Sequence, residues 1–335
     1  MRTETLDPSF RLAASQVLDE RSAQISALAR GVLDLTDPEP AHNLWLATRR
    51  LRAALEVFRP CIGRPDYRGG REEAMRLSRA VGRRREIDVA IEAYRAIGAE
   101  MDPPGAEGIE RVIARLRGDQ SEANRELAQL VHGRRMQAFR VRIEEIADAS
   151  AGTEAAERAA EYRPVEALPD ETVALVAKRL DRLRSAAPQS LETQSPRAQR
   201  RMGVAAERLR YALELTGDAL GSQAHTARRA ARGLQEILGE IRDCDFAVPP
   251  GRETIGGLEE EDVATLLERA RGSRDLDPIL VQAAPNRAAY RGVELAIVHL
   301  LARRRMLYER FKRLWLEQSR QGVWVALETS LKVGS

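Results

Sequence analysis

Apolar residues recur along most of this chain with the period of an α-helix. Between residues 8 and 34 they fall three and four positions apart, which predicts one buried helical stripe. Clusters of proline and glycine, such as LTDPEPAH and MDPPGAEG, predict where helices end. No segment shows the sustained apolar–polar alternation of a strand, so the pattern predicts an all-α fold. The predicted helices cover residues 8–34, 41–58, 69–82, 88–98, 107–117, 121–132, 134–149, 169–186, 197–216, 224–241, 259–273 and 287–319.

Composition agrees with this fold class and narrows the environment. Aromatic residues make up only 4% of the 335 residues, which is low for a β-sandwich or a barrel. No window approaches the ~18 uninterrupted apolar residues of a membrane span, and MRTETLDPSF does not resemble a signal peptide. Cys61 and Cys244 stand alone, so we expect no disulfide framework and no structural zinc site. These features predict a cytoplasmic protein that has no membrane association, no bound metal and no cofactor.

The basic residues are unusual in kind rather than in number. The formal net charge is only +3, but 51 of the 54 basic residues are arginines and the other three are lysines. The planar guanidinium of arginine suits carboxylate and phosphate oxygens. A genomic preference for arginine codons would produce the same composition, so the charge count alone leaves the partner open.

An internal repeat is the most informative feature of the sequence. Residues 49–56 read RRLRAALE and residues 207–214 read ERLRYALE, with six of the eight positions identical. Downstream, LSRAVGRRREIDV at 77–89 parallels LQEILGEIRDCDF at 234–246 at nearly the same spacing. Two motifs that recur in the same order predict a tandem duplication of a helical unit.

The repeat also predicts how the chain is organised. Its midpoint falls near residues 162–171, so we predict an N-terminal half over residues 1–165 and a C-terminal half over residues 166–335. The two halves are expected to form one domain of two helical bundles related by a pseudo-two-fold axis.

The first repeat helix has two distinct faces. Its apolar residues, from Leu44 to Phe58, predict a buried stripe, while polar side chains share a second face. If the two repeat helices face one another, their arginines line one cleft that focuses a positive potential on a polyanion. The alternative is a solvated surface on which acids offset the arginines. The second faces comprise His42, Trp45, Arg49, Arg52 and Glu56 in the first repeat and Arg200, Gly203, Glu207, Arg210 and Glu214 in the second.

These motifs resemble those of the CHAD domain, the conserved histidine α-helical domain. The resemblance rests on RRLRAALEVFRP with its upstream histidine, on the RLRYALE counterpart and on two LGxxRDxD-like segments, which together span both halves. It implies a pair of helical bundles around a basic central surface. It also implies binding of inorganic polyphosphate and association with polyphosphate granules.

The resemblance covers the first repeat more fully than the second. His42, Arg49 and Arg52 match the family's first set, in which Trp45 stands where an arginine is usual. In the family's second set, only Arg210 matches.

Three positions of the second set depart from the family's pattern. Arg200 replaces a histidine and keeps a positive charge, Gly203 replaces an arginine, and Glu207 replaces a lysine. We expect these departures to weaken polyanion binding and a Glu207→Lys substitution to strengthen it.

The sequence therefore predicts a non-enzymatic protein that binds inorganic polyphosphate or another phosphate-rich polyanion. It contains no P-loop, no GxGxxG and no HExxH motif. The alternative is an interaction scaffold whose anion site has decayed, with Trp45 contacting a protein partner or the core. Nucleic acid is the less favoured ligand because the net charge is small and GLEEED is acidic. The predicted binding residues are His42, Arg49, Arg50, Arg52, Arg200, Arg208 and Arg210.

The two Arg–Asp segments have a structural interpretation. Arg85 and Asp88 match the first segment, and Arg242, Asp243 and Asp245 match the second. We expect Asp88 to cap a helix that begins there, and the arginines to form ion pairs that hold a loop.

Overall fold

A computed structural model describes residues 6–157, 168–192 and 194–333, and every regular element in these ranges is helical. The prediction of an all-α fold is confirmed. Short 3-10 helices lie at Arg59–Cys61 and Pro278–Ala283. The α-helices are α1 (Pro8–Leu28), α2 (Glu39–Val57), α3 (Arg64–Gly98), α4 (Pro103–Val131), α5 (Gly133–Glu157), α6 (Asp170–Glu192), α7 (Pro196–Leu220), α8 (Ser222–Arg269), α9 (Arg287–Arg320) and α10 (Val323–Val333).

Three of the predicted helix breaks are wrong, because α3, α4 and α8 are each continuous. Gly82 lies inside α3, where one glycine costs only about 1 kcal/mol of helix stability. α8 continues through Pro249 and Pro250, which lack backbone N–H donors. Ala247 and Val248, just before the two prolines, are both buried, so this stretch of α8 is held by packing. α10 is a further helix that the pattern did not predict, and Gly322, with φ 69°, separates it from α9.

The chain divides into two compact units, and unit 1 contains the predicted binding residues. It comprises Met1–Arg85, Ala123–Gly239 and Tyr308–Ser335. Within unit 1, α1 packs against α2 and α5, α6 packs against α7 and α10, and α2 packs against α7. Buried apolar side chains such as Phe10 and Leu51 form its core, and each contributes about 1.5–3 kcal/mol.

Local sequence explains why α2 and α7 begin where they do. The Asp37 carboxylate accepts a hydrogen bond from the backbone N–H of Glu39 at 2.9 Å, at the start of α2. Pro196 occupies the first turn of α7, where a missing N–H leaves no helical bond unmade. Leu51 of α2 and Leu209 of α7 are both buried, so each helix turns its apolar stripe to the core. Their remaining faces carry the arginines.

Unit 2 comprises Glu86–Glu122 and Glu240–Leu307 and has a core of its own. Tyr94 is fully buried there, and its hydroxyl donates to the carbonyl oxygen of Ala247 at 2.8 Å. Burial raises the pKa of Tyr94 to about 12, so this hydrogen bond is present at any physiological pH.

Two further predictions concern the chain as a whole. No helix in the described ranges is both long and apolar enough to cross a bilayer. The predicted division at residues 165 and 166 lies outside the described residues, and it stays a prediction, as does the internal duplication.

Candidate anion-binding site

The cationic face of α2 meets α7 through an ion pair. The guanidinium of Arg49 pairs with the carboxylate of Glu207, which is only 8% exposed. A carboxylate at this depth requires a compensating charge, and Arg49 supplies it. Glu207 therefore neutralises a cation that the sequence predicts to bind the ligand.

Trp45 lies on the same face, between two guanidinium groups. The Arg49 guanidinium is 3.9 Å from the centroid of the indole ring, and that of Arg85 is 5.0 Å away. On α3, Gly82 leaves room for the ring, since a Cβ atom there would lie 3.2 Å from the indole nitrogen. The half-buried indole thus holds two arginines by cation–π contact. His42 is exposed one turn away, with its ring 6.1 Å from that of Trp45.

A second acid of α7 is shared by three further arginines. The Glu214 carboxylate lies 3.3 Å from Arg50, 3.4 Å from Arg210 and 3.8 Å from Arg21. Arg210 also donates from Nε to the side-chain oxygen of Gln235 at 2.6 Å. Arg50 and Arg210 therefore share one carboxylate instead of projecting unpaired charge.

A buried cluster around Glu56 contains more cations than acids. Arg179 of α6, whose side chain is 2% exposed, pairs with Glu56 and donates to the carbonyl oxygen of Arg208 at 2.8 Å. Arg71 lies 3.8 Å from the same carboxylate. Burial lowers the pKa of Arg52, the nearby Arg208 and Arg71 lower it further, and Glu56 opposes that shift. The buried Nε atom of Arg52 has no hydrogen-bond partner within the described part of the chain.

A basic groove of unit 1 lies between α6 and α7, and we call it the α6–α7 groove. Its cavity volume is about 850 Å³, and Val204 and Ala205 provide part of its apolar lining. Among the residues that the structure describes, its lining comprises seven cationic side chains and a single acid, Asp181, and includes no aromatic side chain. The seven cations are Lys178, Arg179, Arg182, Arg197, Arg200, Arg201 and Arg208.

Most of these cations have no acidic partner. Over residues 6–157, 168–192 and 194–333, no ion pair involves Lys178, Arg182, Arg197, Arg200 or Arg208. All of them except the half-buried Arg208 are exposed to solvent. Their charges are therefore available to an anion in the groove, which focuses their combined potential.

The structure thus does not bring the seven predicted binding residues together on one surface. Arg200 and Arg208 line the α6–α7 groove. Arg49, Arg50 and Arg210 are paired with acids where α2 packs on α7. The remaining two, Arg52 and His42, lie in the Glu56 cluster and beside Trp45, respectively.

Five cations of the groove were missed by the sequence reasoning. They lie in the segment KRLDRLR of α6 and the segment PRAQRR of α7. Only three residues separate the end of α6 from the start of α7. Such a short connection places two helices side by side. Neither segment lies within the repeated motifs, so the repeat does not indicate these five cations.

Gly203 is explained by packing. A Cβ atom at this position would lie 3.3 Å from Cβ of Leu238 in α8. The absent side chain allows α7 and α8 to approach, so an arginine at this position would require Leu238 to shift.

The helix-capping prediction for Asp88 is wrong. Asp88 lies inside the continuous helix α3, and its carboxylate accepts a hydrogen bond from Nε2 of Gln120 at 2.6 Å within unit 2. The second segment does form ion pairs: Asp245 lies 2.5 Å from Arg304, and Arg242 lies 3.7 Å from Glu86. These pairs join helices and not loops, since α3 and α8 have no break at these positions.

The described residues contain no group of three or more histidine, cysteine, aspartate or glutamate side chains arranged to hold a metal ion. Burial raises the pKa of the Cys61 thiol to about 11, so the thiol is protonated at neutral pH.

The fold and the groove define an all-helical protein with a strongly basic cleft between two adjacent helices. A family profile described as the CHAD domain matches residues 16–248, well over half of the chain. The chain belongs to the CHAD family, and the resemblance that its motifs suggested is confirmed.

Solved structures agree with this assignment. The fold is similar to the crystal structure of the CHAD domain from the plant Ricinus communis, with a TM-score of 0.56 and 19% identity over 96% of this chain and 91% of that chain. It is also similar to PptA from Streptomyces chartreusis, with a TM-score of 0.54 and 16% identity over 90% of this chain and 98% of that chain. At these identities the similarity shows the fold alone. A comparison with curated proteins finds no match.

Proposed function

We propose that this protein binds inorganic polyphosphate, or a similarly phosphate-rich polyanion, without catalysing a reaction on it. The observation that carries the proposal is the α6–α7 groove, with seven cations and one acid. Membership of the CHAD family, which is known for polyphosphate-related proteins, supports the same ligand class. In a cell that stores polyphosphate, such a protein would be cytoplasmic and associated with the granules.

The proposed mechanism is multivalent contact between guanidinium groups and phosphate oxygens. Each arginine offers a planar fork of donors, and hydrogen bonds between ionised partners are about twice as strong as neutral ones. Arg197, Arg201 and Arg208 follow one another along α7, and a linear anion in the groove meets them in turn. Such binding releases counterions, so affinity falls steeply as the salt concentration rises.

The lining of the groove favours polyphosphate over single-stranded nucleic acid. Proteins that bind single strands without sequence preference stack successive bases on aromatic side chains, each worth about 1–3 kcal/mol. Within residues 6–157, 168–192 and 194–333, no aromatic side chain lines this groove. A polymer of phosphate alone needs no such contact, and it carries a higher density of charge.

Binding of defined polyphosphate chains over a salt series tests the proposal. The triple variant Arg182→Ala/Arg197→Ala/Arg200→Ala removes three exposed cations of the groove, and we expect affinity at low salt to fall by about tenfold per arginine. The matched control, Arg117→Ala/Arg125→Ala/Arg274→Ala, removes three exposed arginines that do not line the groove. Circular dichroism and melting temperatures verify that both variants fold.

Two results would overturn the proposal. One is a wild-type protein that does not bind polyphosphate at low salt. The other is a groove variant that loses no more affinity than the control variant, which would assign binding to another surface.

A second candidate is an interaction scaffold whose anion site has decayed. The observation that favours it is the pairing of Glu207 and Glu214 with the arginines of α2. In this scaffold, Trp45 either packs in the core or contacts the protein partner, and Trp45→Ala distinguishes the two roles. A loss of stability without loss of partner binding assigns Trp45 to packing, whereas loss of partner binding makes it a contact residue.

A further inference from the structure

The solvent-facing side of α9 in unit 2 carries four large apolar side chains among its charged ones, which is unusual for a surface helix. Its opposite side is buried in unit 2 through Val293, Ile297 and Leu300. A helix with one buried stripe normally presents polar residues to solvent. Here the outer side exposes large apolar side chains that are between 42% and 60% exposed, namely Leu295, Val298, Leu301 and Met306.

These residues form one continuous patch, which we call the outer α9 face. With 3.6 residues per turn, Leu295, Val298, Leu301 and Met306 lie on the same half of the helix, about 16 Å from end to end. Of the fourteen large hydrophobic residues that are exposed in the described part of the chain, nine lie in unit 2, so exposure is concentrated there. Concentrated apolar exposure is typical of an interaction surface.

Two opposite charges lie at the ends of this face. Glu294 precedes the apolar stretch and Arg305 lies near its end, eleven residues or about 16 Å further along the helix. Both side chains are exposed. Neither forms an ion pair with any residue in the described part of the chain.

We propose that the outer α9 face binds the same face of a second copy of this chain in antiparallel orientation. A two-fold axis near residues 299 and 300 places Glu294 of each copy opposite Arg305 of the other and brings the apolar residues together at the centre. Such an interface is isologous, so each favourable charge pair occurs twice. A parallel arrangement would place Glu294 opposite Glu294 and Arg305 opposite Arg305, which is repulsive.

The size of the face sets the strength of the association. One helical face on each side is small beside the roughly 800 Å² that each partner buries in a standard interface. The dimer is therefore a weak one that dissociates on dilution. This inference concerns unit 2 only, and it does not depend on polyanion binding in unit 1.

Sedimentation of the full chain over a concentration series tests the inference. The wild-type protein is expected to shift from monomer to dimer as concentration rises. Glu294→Arg and Arg305→Glu each place two like-charge pairs in the interface, and we expect each to weaken dimerisation by at least about tenfold. The combined variant Glu294→Arg/Arg305→Glu restores opposite charges and is expected to restore the dimer.

Two controls keep the experiment decisive. Glu20→Arg makes the same change of charge at an exposed position of α1 and is expected to leave the dimer unchanged. Val298→Asp removes the apolar centre and is expected to abolish association; matched circular dichroism spectra show that all variants fold. The inference is overturned if the wild-type protein is a monomer at every concentration, or if neither single charge reversal weakens its dimer. It is also overturned if the combined variant stays monomeric, or if Glu20→Arg loses the dimer.

Discussion

Helix α7 contributes to two surfaces that use arginine in opposite ways. Where α2 packs on α7, Arg49, Arg50 and Arg210 are all paired with carboxylates. Where α6 packs on α7, the described residues that line the groove include seven cations and a single acid. The number of arginines on a helix face therefore does not measure the positive charge that is available to a ligand.

The physical reason is competition. A phosphate that approaches Arg49 must displace the carboxylate of Glu207, which is buried and would lose its compensating charge. A phosphate that approaches Arg200 displaces only water and mobile counterions. We therefore interpret the α2–α7 surface as structural and assign the proposed ligand to the α6–α7 groove.

The largest expected effect is a loss of stability when the buried cluster around Glu56 is disrupted. Glu56→Gln leaves the buried guanidinium of Arg179 without its carboxylate, and we expect the free energy of unfolding to fall by about 3 kcal/mol. Chemical denaturation measures the change. The control is Glu72→Gln, which breaks an exposed pair with Arg76 and is expected to cost less than about 0.5 kcal/mol. Equal losses in the two variants would contradict the importance of the buried pair.

The next largest effect is on polyphosphate affinity, and it is tested by removing one arginine from each of the two surfaces. Arg208→Ala removes an unpaired cation of the groove, and we expect polyphosphate affinity at low salt to fall about tenfold. Arg50→Ala removes a cation already paired with Glu214 and is expected to change affinity by less than about twofold. Calorimetric titration measures both. Similar losses in the two variants would show that the surfaces do not differ in the proposed way.

The smallest effect tests whether Glu207 suppresses binding at the α2–α7 surface. Glu207→Gln releases Arg49, and we expect a gain in affinity of a few-fold together with a loss of stability of about 1–2 kcal/mol. Glutamine is a sharper test than lysine, because a lysine would place a second cation beside Arg49 and destabilise the packing of α2 on α7. Unchanged affinity with reduced stability would make Glu207 a purely structural residue.

The sequence predicted the parts of this structure that depend on local pattern. The all-α class and the buried stripe of α2 follow from spacing alone, because residues three and four apart share a helix face. The breaks in α3 and α8 were mispredicted, since the contacts of α8 near Pro249 and Pro250, such as the hydrogen bond from Tyr94 to Ala247, involve residues distant in sequence.

The candidate site was less predictable for the same reason. Arg49 and Glu207 are 158 positions apart, and their pairing becomes visible only when α2 and α7 are placed together. From the sequence, we expected the negative charge of Glu207 to weaken polyanion binding. The structure shows that its carboxylate pairs with Arg49. The groove cations of α6 formed no part of the repeat, and only the packing of α6 on α7 brings them to the ligand surface.

The position of Trp45 between Arg49 and Arg85 has an optical consequence. The other two tryptophans, Trp315 and Trp324, stack on one another with ring centroids 5.7 Å apart, so Trp45 is the indole held between two charged groups. Indole emission responds to neighbouring charge, which makes Trp45 an intrinsic fluorescent reporter for the α2–α7 surface. Emission that stays constant while polyphosphate binds indicates that the ligand leaves the α2–α7 surface undisturbed, as binding in the groove predicts, whereas a shift indicates that the surroundings of Trp45 have changed.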